Sequence, residues 1–244
     1  MIGDVNHENL GNSIVLALDS RDLLREKHVL DDVGPEVGMI KIAPKRVTPR
    51  DGTHTVNWNA VFKMTREIAP NAGVVLDFKI SDVPGNTEDI ITDLALTGAN
   101  MISVHSLSTS GSLEAAVKAR RKAKIIAHTI DSRESENGCR RLLGKSITQA
   151  VCDLSLLAAE AGVDALFVPS FAVESVRNHA ELAKITLVAT GIAVPDYSTF
   201  NHLRSLTPRQ AMDAGADYFV VGRAFTDEQN DPQTVLSNII DNLS

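Results

Sequence analysis

The chain has 244 residues, a formal charge of −7, and 43% hydrophobic against 23% charged residues, which is globular composition with enough apolar content for a sizeable core. No apolar run reaches the roughly 18 residues of a membrane span, and the negative balance argues against broad electrostatic binding to nucleic acid or anionic membrane. A small anionic ligand, which needs only a few local donors, stays open.

The opening "MIGDVNHENLGNS" has neither the basic start and apolar stretch of a secretory signal nor the Arg/Ser-rich character of a transit peptide, so the cytoplasm is the expected compartment. Cys139 and Cys152 lack C-x-x-C spacing and read as reduced structural cysteines.

From there, short β-branched runs recur at residues 14–19, 37–42, 73–78, 101–105, 124–129, 164–168, 185–190 and 217–222, eight predicted strands in all. The segments between them, such as "EDIITDLALTGA" and "ITQAVCDLSLLAAEAGV", place apolar residues three and four apart, as core-facing helices do. Gly98-Ala99, Gly162-Val163 and Gly215-Ala216 read as helix ends turning into the next strand. Eight alternations of strand and helix predict a single-domain (β/α)8 TIM barrel over residues 1–244, with an open doubly wound sheet as the alternative. Two long polar segments, "PKRVTPRDGTHTVN" after the second strand and "IDSRESENGCRRLLGKS" after the fifth, fall on the side where barrel active sites are built and are candidate lids.

Several strands end in charge. The first ends in Asp19, the second carries Lys41, and "VVLDFKISDVPGNT" takes the third from an apolar run into Asp77, Lys79 and Asp82. Residues two apart on a strand share a face, so Asp77 and Lys79 should project together into the barrel mouth. Each charge taken alone reads as a solvated cap or half of an ordinary ion pair. Gathered at one barrel end, alternating anions and cations form a network in which each buried charge has a partner, and that pattern points to a site.

The D-x-K-x-x-D run of Asp77, Lys79 and Asp82, followed by Val83-Pro84 and Asn86-Thr87, resembles the signature of the orotidine 5′-phosphate decarboxylase family. Supporting matches lie in order along nearly the whole chain: "LALD" ending at Asp19, "IKI" with Lys41, "SVHS" with His105, "TGI" with Gly191, and "GADYFVVGRAFT" with Gly222-Arg223. The resemblance implies a metal-independent homodimer without a cofactor, acting on a small nucleotide and partnering neither nucleic acid nor membrane. Lys79 would stabilise negative charge at the decarboxylated carbon and donate the proton, with Asp77 and Lys41 beside it and Asp82 reaching the neighbouring subunit's site. Asp19, Thr87, Thr129, Gly191, Gly222 and Arg223 would bind substrate, Thr129 at the pyrimidine amide and Gly191, Gly222 and Arg223 at phosphate. His105 is assigned a structural hydrogen bond.

Two other readings are compatible with the motif. Magnesium-dependent relatives acting on sugar phosphates share it but carry a glutamate metal ligand at the position of Lys41, and a catalytically silent phosphate-binding barrel would have no use for an ammonium between carboxylates. Three departures from the family pattern stand out: Gly85 is inserted between Pro84 and Asn86, Thr190 precedes Gly191-Ile192 in place of proline, and "AVPDYSTFNHL" lacks the usual glutamine.

Overall fold

The computed structural model describes residues 7–18, 22–43, 58–197 and 204–244. Parallel strands β1 Ile14–Leu18, β2 Met39–Ile42, β3 Gly73–Ile80, β4 Met101–His105, β5 Lys124–His128, β6 Ala165–Pro169, β7 Thr186–Thr190 and β8 Tyr218–Val221 follow one another around a closed barrel. Closure comes from β1 against β8, with Ile14 opposite Phe219 and Leu16 opposite Val221, which excludes the open sheet. Around it lie α1 Leu23–Val33, α2 Trp58–Ile68, α3 Pro84–Ala95, α4 Ser110–Ala119, α5 Glu136–Leu143, α6 Ile147–Glu160, α7 Val173–Arg177, α8 Pro208–Asp213, α9 Arg223–Thr226 and α10 Pro232–Leu243.

Strand alternation sorts the apolar residues into two cores. Outward-facing Leu16, Ile40, Leu76, Ile102, Ile125, Leu166 and Leu187 pack with helix residues such as Val29, Val61, Ile91, Leu113 and Ile239. Inward-facing Val15, Met39, Val75, Met101, Ile126, Ala165 and Val188 fill the barrel itself. Burial of each Val, Leu or Ile side chain stabilises the fold by about 1.5–3 kcal/mol.

The strand starts differ from expectation for a physical reason. Asp164 and Asp217, expected as first residues of strands, instead precede β6 and β8 and close the floor of the barrel, as Asn100 does before β4. Asn100 accepts the Val74 N–H at 2.8 Å, Asp164 the Ile125 N–H at 2.8 Å and Asp217 the Leu187 N–H at 2.7 Å. The backbone N–H of each returns the bond to the carbonyl of the same residue, 2.9 Å in all three cases. Each clamp thus satisfies both main-chain groups at the start of a strand. The glycines two residues earlier, Gly98, Gly162 and Gly215, take left-handed φ values of 83°, 84° and 101°, as a helix turning back into a strand requires.

The segment 44–57, the first candidate lid, lies outside the described residues, as does Asp19. The second is built from a turn at Asp131–Glu134 and helix α5, which Ser135 caps by accepting the Gly138 N–H and which ends at Gly144 with φ 71°. Cys139 and Cys152 are buried free thiols, and burial pushes both thiol pKa values up. Among the described residues no single helix is long and apolar enough to cross a membrane; α5 and α6 reach the length together but bend by 54°.

Candidate active site

Along β2 to β5 the inward positions change from apolar to polar toward the C-terminal end. Met39 is followed by Lys41, Val75 by Asp77 and Lys79, Met101 by Ser103, and Ile126 by His128. These positions surround or underlie a cavity of about 600 Å³, whose opposite wall comes from Thr190, Gly191, Gly222 and Arg223.

Asp77 is the hub of the polar layer. Lys41 Nζ donates to its Oδ2 at 2.9 Å, Lys79 Nζ to the same oxygen at 2.8 Å, and Ser103 Oγ to Oδ1 at 3.1 Å. Asp77 is 3% exposed and Lys41 7%, so these charges are compensated by one another more than by water. Burial alone would raise the Asp77 pKa, but the Lys41 and Lys79 ammonium groups outweigh it and hold the carboxyl far below the usual carboxylate range.

Lys79 reaches this position through an irregular backbone. Leu76 pairs with Ile102 and Ile80 with Val104, so four steps on β3 face two on β4, and Lys79 sits in the bulge with φ 49°. A left-handed conformation costs a residue with a Cβ about 1–2 kcal/mol. Part of that cost is offset by the Lys79 N–H, which donates to Ser103 Oγ at 2.7 Å. Phe78, between the two charged residues, points outward and meets Trp58 edge-on at 5.5 Å.

The β5 side of the cavity carries His128, 8% exposed, whose ring lies 5.1 Å from Phe167 and 6.0 Å from His105. Burial pushes the imidazole pKa down to about 4, with Asp77 pulling the other way. His105 is held by an acceptor bond from the Leu107 N–H at 3.2 Å, and burial lowers its pKa too. Beyond β5, Asp131, Ser132 and Arg133 reach the cavity wall. Arg133 grips Asp131 through Nε and Nη2, both at 2.9 Å, and these bonds hold the Asp131 carboxyl at about 2.

On the far wall Gly191 takes φ 71°, and Gly222 leads into α9, whose first residue is Arg223. Arg25 fixes the segment after it, donating to the carbonyls of Phe225, Asp227 and Asn230 at 2.8, 2.7 and 2.6 Å.

Lys41, Asp77, Lys79, Gly191, Gly222 and Arg223 therefore meet at one cavity. Thr129 does not line it: fully buried, its hydroxyl donates to the Phe167 carbonyl at 2.9 Å. Thr87 is 2% exposed with its hydroxyl turned to the Asp82 carbonyl at 3.3 Å, within the subunit. The inserted Gly85 has open space where a Cβ would stand, so no close packing demands a glycine there. Asp82 is exposed at the start of α3, its carboxylate accepting from the Val83 N–H at 2.7 Å and Asn86 Nδ2 at 3.1 Å. Ser103, His128, Ser132 and the Asp131–Arg133 pair were not singled out from sequence; two-residue alternation through Met101 and Ile126 is the signal that leads to the first two. Among the described residues no group of three or more His, Cys, Asp and Glu is placed to hold a metal ion.

The family model for orotidine 5′-phosphate decarboxylase / HUMPS matches residues 12–239. An orotidine 5′-phosphate decarboxylase from Pseudoalteromonas translucida is 36% identical over 176 residues, covering 68% of this chain and 73% of its own. One from Dictyoglomus thermophilum is 27% identical over 237 residues, 93% of each chain. Among solved structures, orotidine 5′-phosphate decarboxylase from Lactobacillus acidophilus superposes with a TM-score of 0.73 at 20% identity, over 95% of this chain and 98% of that one. The Pyrococcus horikoshii enzyme gives 0.71 at 22% identity, over 94% and 98%, and both likenesses speak to the fold.

Proposed function

Because the chain belongs to the orotidine 5′-phosphate decarboxylase / HUMPS family, we propose that it converts orotidine 5′-phosphate to uridine 5′-phosphate in cytoplasmic pyrimidine synthesis, without metal or cofactor. The observation that carries this reading is the buried Asp77 carboxylate held between the Lys41 and Lys79 ammonium groups inside the cavity. The magnesium-dependent alternative needs a carboxylate ligand where Lys41 stands.

In the reaction the bond between the pyrimidine ring carbon and its carboxylate breaks. The electron pair stays on the carbon, in the ring plane, where no π-system delocalises it. Electrostatics must then lower the barrier, and a fixed ammonium does so without reorganising at the moment of reaction. Lys79 stabilises that carbon and hands it a proton, leaving as carbon dioxide the group it replaces. Asp77 orients Lys79 through their 2.8 Å bond and faces the departing carboxylate with like charge.

Arg223, with the Gly191 and Gly222 backbone, takes the phosphate at the opposite wall as a guanidinium suits it. Ser132, which lines the cavity three residues beyond buried Thr129, takes the pyrimidine amide in its place. The reading also includes a two-fold dimer in which Asp82 completes the partner's site. Asp82 adjoins Val83, 60% exposed, and α4 reaches the same rim through Ser112 Oγ, which donates to the Asp82 carbonyl at 2.7 Å. Leu107, just before α4, is 54% exposed, and such apolar surface is what a second copy would cover.

The test is incubation with orotidine 5′-phosphate in excess chelator while following loss of the orotate absorbance. Turnover under chelation is expected. No turnover until a divalent metal and a sugar-phosphate substrate are supplied would transfer the chain to its magnesium-dependent relatives.

A further inference from the structure

Among the described residues, the polar side chains of the strand ends at the cavity are engaged by the protein, with one exception. Lys41, Lys79 and Ser103 are bonded to Asp77, and Thr190 Oγ1 donates to the Val168 carbonyl at 3.3 Å. His128 is more than nine-tenths buried, lines the cavity, and has no hydrogen-bond partner for either ring nitrogen among the described residues. Neither ring nitrogen is among the buried polar atoms sealed away without a partner, so the imidazole is open to the cavity, where a ligand group can take the place of water.

We propose that His128 donates a hydrogen bond to the carboxylate of the bound substrate and so sets the site's preference for a carboxylate-bearing ligand over the decarboxylated product. The inference rests on the functional reading above, which places that carboxylate beside Lys79 and Asp77. Setting a second carboxylate next to the Asp77 anion is unfavourable, and a nearby donor offsets part of the repulsion. His128 lies one inward position above Ile126 on β5, its ring steadied by Phe167 and His105, and lines the same cavity as Asp77 and Lys79. Its imidazole stays neutral down to about pH 4 because of burial, so it offers an N–H without adding a cation to the site. Ala17, Phe167 and Val220, which also face the cavity, have side chains without a donor.

A bond to the carboxylate is made in the ground state and kept while the carbon–carbon bond is still breaking, so its removal should fall mainly on KM rather than on kcat. The experiment compares the unmodified chain with His128→Phe, which keeps a ring of similar shape, and His128→Asn, which keeps a donor. Binding of orotidine 5′-phosphate and of uridine 5′-phosphate is measured by calorimetry in a Lys79→Ala background, where the substrate is not consumed, alongside KM and kcat in the chain with Lys79 intact. His128→Phe should weaken orotidine 5′-phosphate about tenfold and leave uridine 5′-phosphate within about twofold, with His128→Asn recovering part of the loss. Equal losses for both nucleotides, or no loss for either, overturns the proposal while leaving the decarboxylase reading in place. Failure of the unmodified chain to bind orotidine 5′-phosphate overturns both. Retained uridine 5′-phosphate binding by the variants excludes misfolding as the cause.

Discussion

At the floor of the barrel Asn100, Asp164 and Asp217 each hold the backbone of a neighbouring strand, whereas at the mouth Lys41, Asp77, Lys79 and Ser103 hold one another. The floor groups act on separate strands, and losing one frees one strand N–H and one arginine contact, Arg66 at Asn100, Arg120 at Asp164 and Arg177 at Asp217. The mouth groups share one carboxylate, and losing one leaves a charge without its partner in a poorly hydrated layer. Polar residues at the two ends of the same strands therefore serve different ends, one the main chain and the other a shared carboxylate beside the cavity.

The largest effect that would expose this difference is expected from Lys79→Ala, which should lower kcat at least about a thousandfold in a protein that stays folded. Near-normal turnover of the purified variant would remove Lys79 from the chemistry. Its mixture with Asp82→Ala asks whether the mouth, unlike the floor, needs two chains. If Asp82 serves the partner's site, half of randomly exchanged dimers are mixed and each holds one intact site of two, so activity should return to about a quarter. Recovery no better than the separate variants, with exchange verified, would confine the site to one chain.

Asp77→Ala should cost about 3–5 kcal/mol of stability in denaturant titration, because Lys41 and Lys79 lose the carboxylate that compensates them. Adding Lys41→Met should return part of that loss, since it removes the more buried ammonium; a double variant weaker than the single would contradict the shared-carboxylate picture.

Acid should also act at the mouth. The folded His128 pKa is depressed to about 4 from an ordinary 6.5, so below 6.5 the unfolded chain takes up a proton that the folded chain refuses. Stability is fully present above that point and falls as pH drops toward 4, by about 3 kcal/mol in all. Asp77, also depressed, adds a further loss below the usual carboxylate range. Unfolding free energies measured between pH 7 and 4 should show the decline, and His128→Phe should flatten it.

The smallest effect is expected at the floor. Asn100→Ala should cost about 1–2 kcal/mol for the freed Val74 N–H and the lost Arg66 bond, and leave KM and kcat unchanged within about twofold. A comparable loss of activity would mean that the two ends are coupled.

Much of this architecture was legible beforehand. Eight β-branched runs separated by helical periods lead to the barrel, since neither signal depends on contacts distant in the chain, and the strand centres fall where alternation puts them. Asp77 and Lys79 were found together because both belong to one short motif, and Lys41, Gly191 and Arg223 by resemblance along the chain. Thr129 shows the limit. As a hydroxyl at the end of a predicted strand it looked like a ligand contact, but β5 ends at His128 and Thr129 turns into the wall to satisfy the Phe167 carbonyl of β6. Thr87 was placed by its neighbours in the motif, and its actual environment depends on where the Asp82 carbonyl lies.

What the amino-acid sequence determined by itself was periodic and local: which segments become strands and helices, that left-handed glycines end α3, α6 and α8, and that acid, base and acid follow one another at the end of β3. What only the tertiary structure decided was which side chains from different strands share a layer. The bulge that gives Lys79 its left-handed backbone arises from the register of β3 against β4, and Ser103 and His128 enter the site because the closed barrel carries β4 and β5 round beside Asp77. Alternation along a strand is written in two-residue steps, whereas register between strands is fixed by packing and hydrogen bonding across tens of residues.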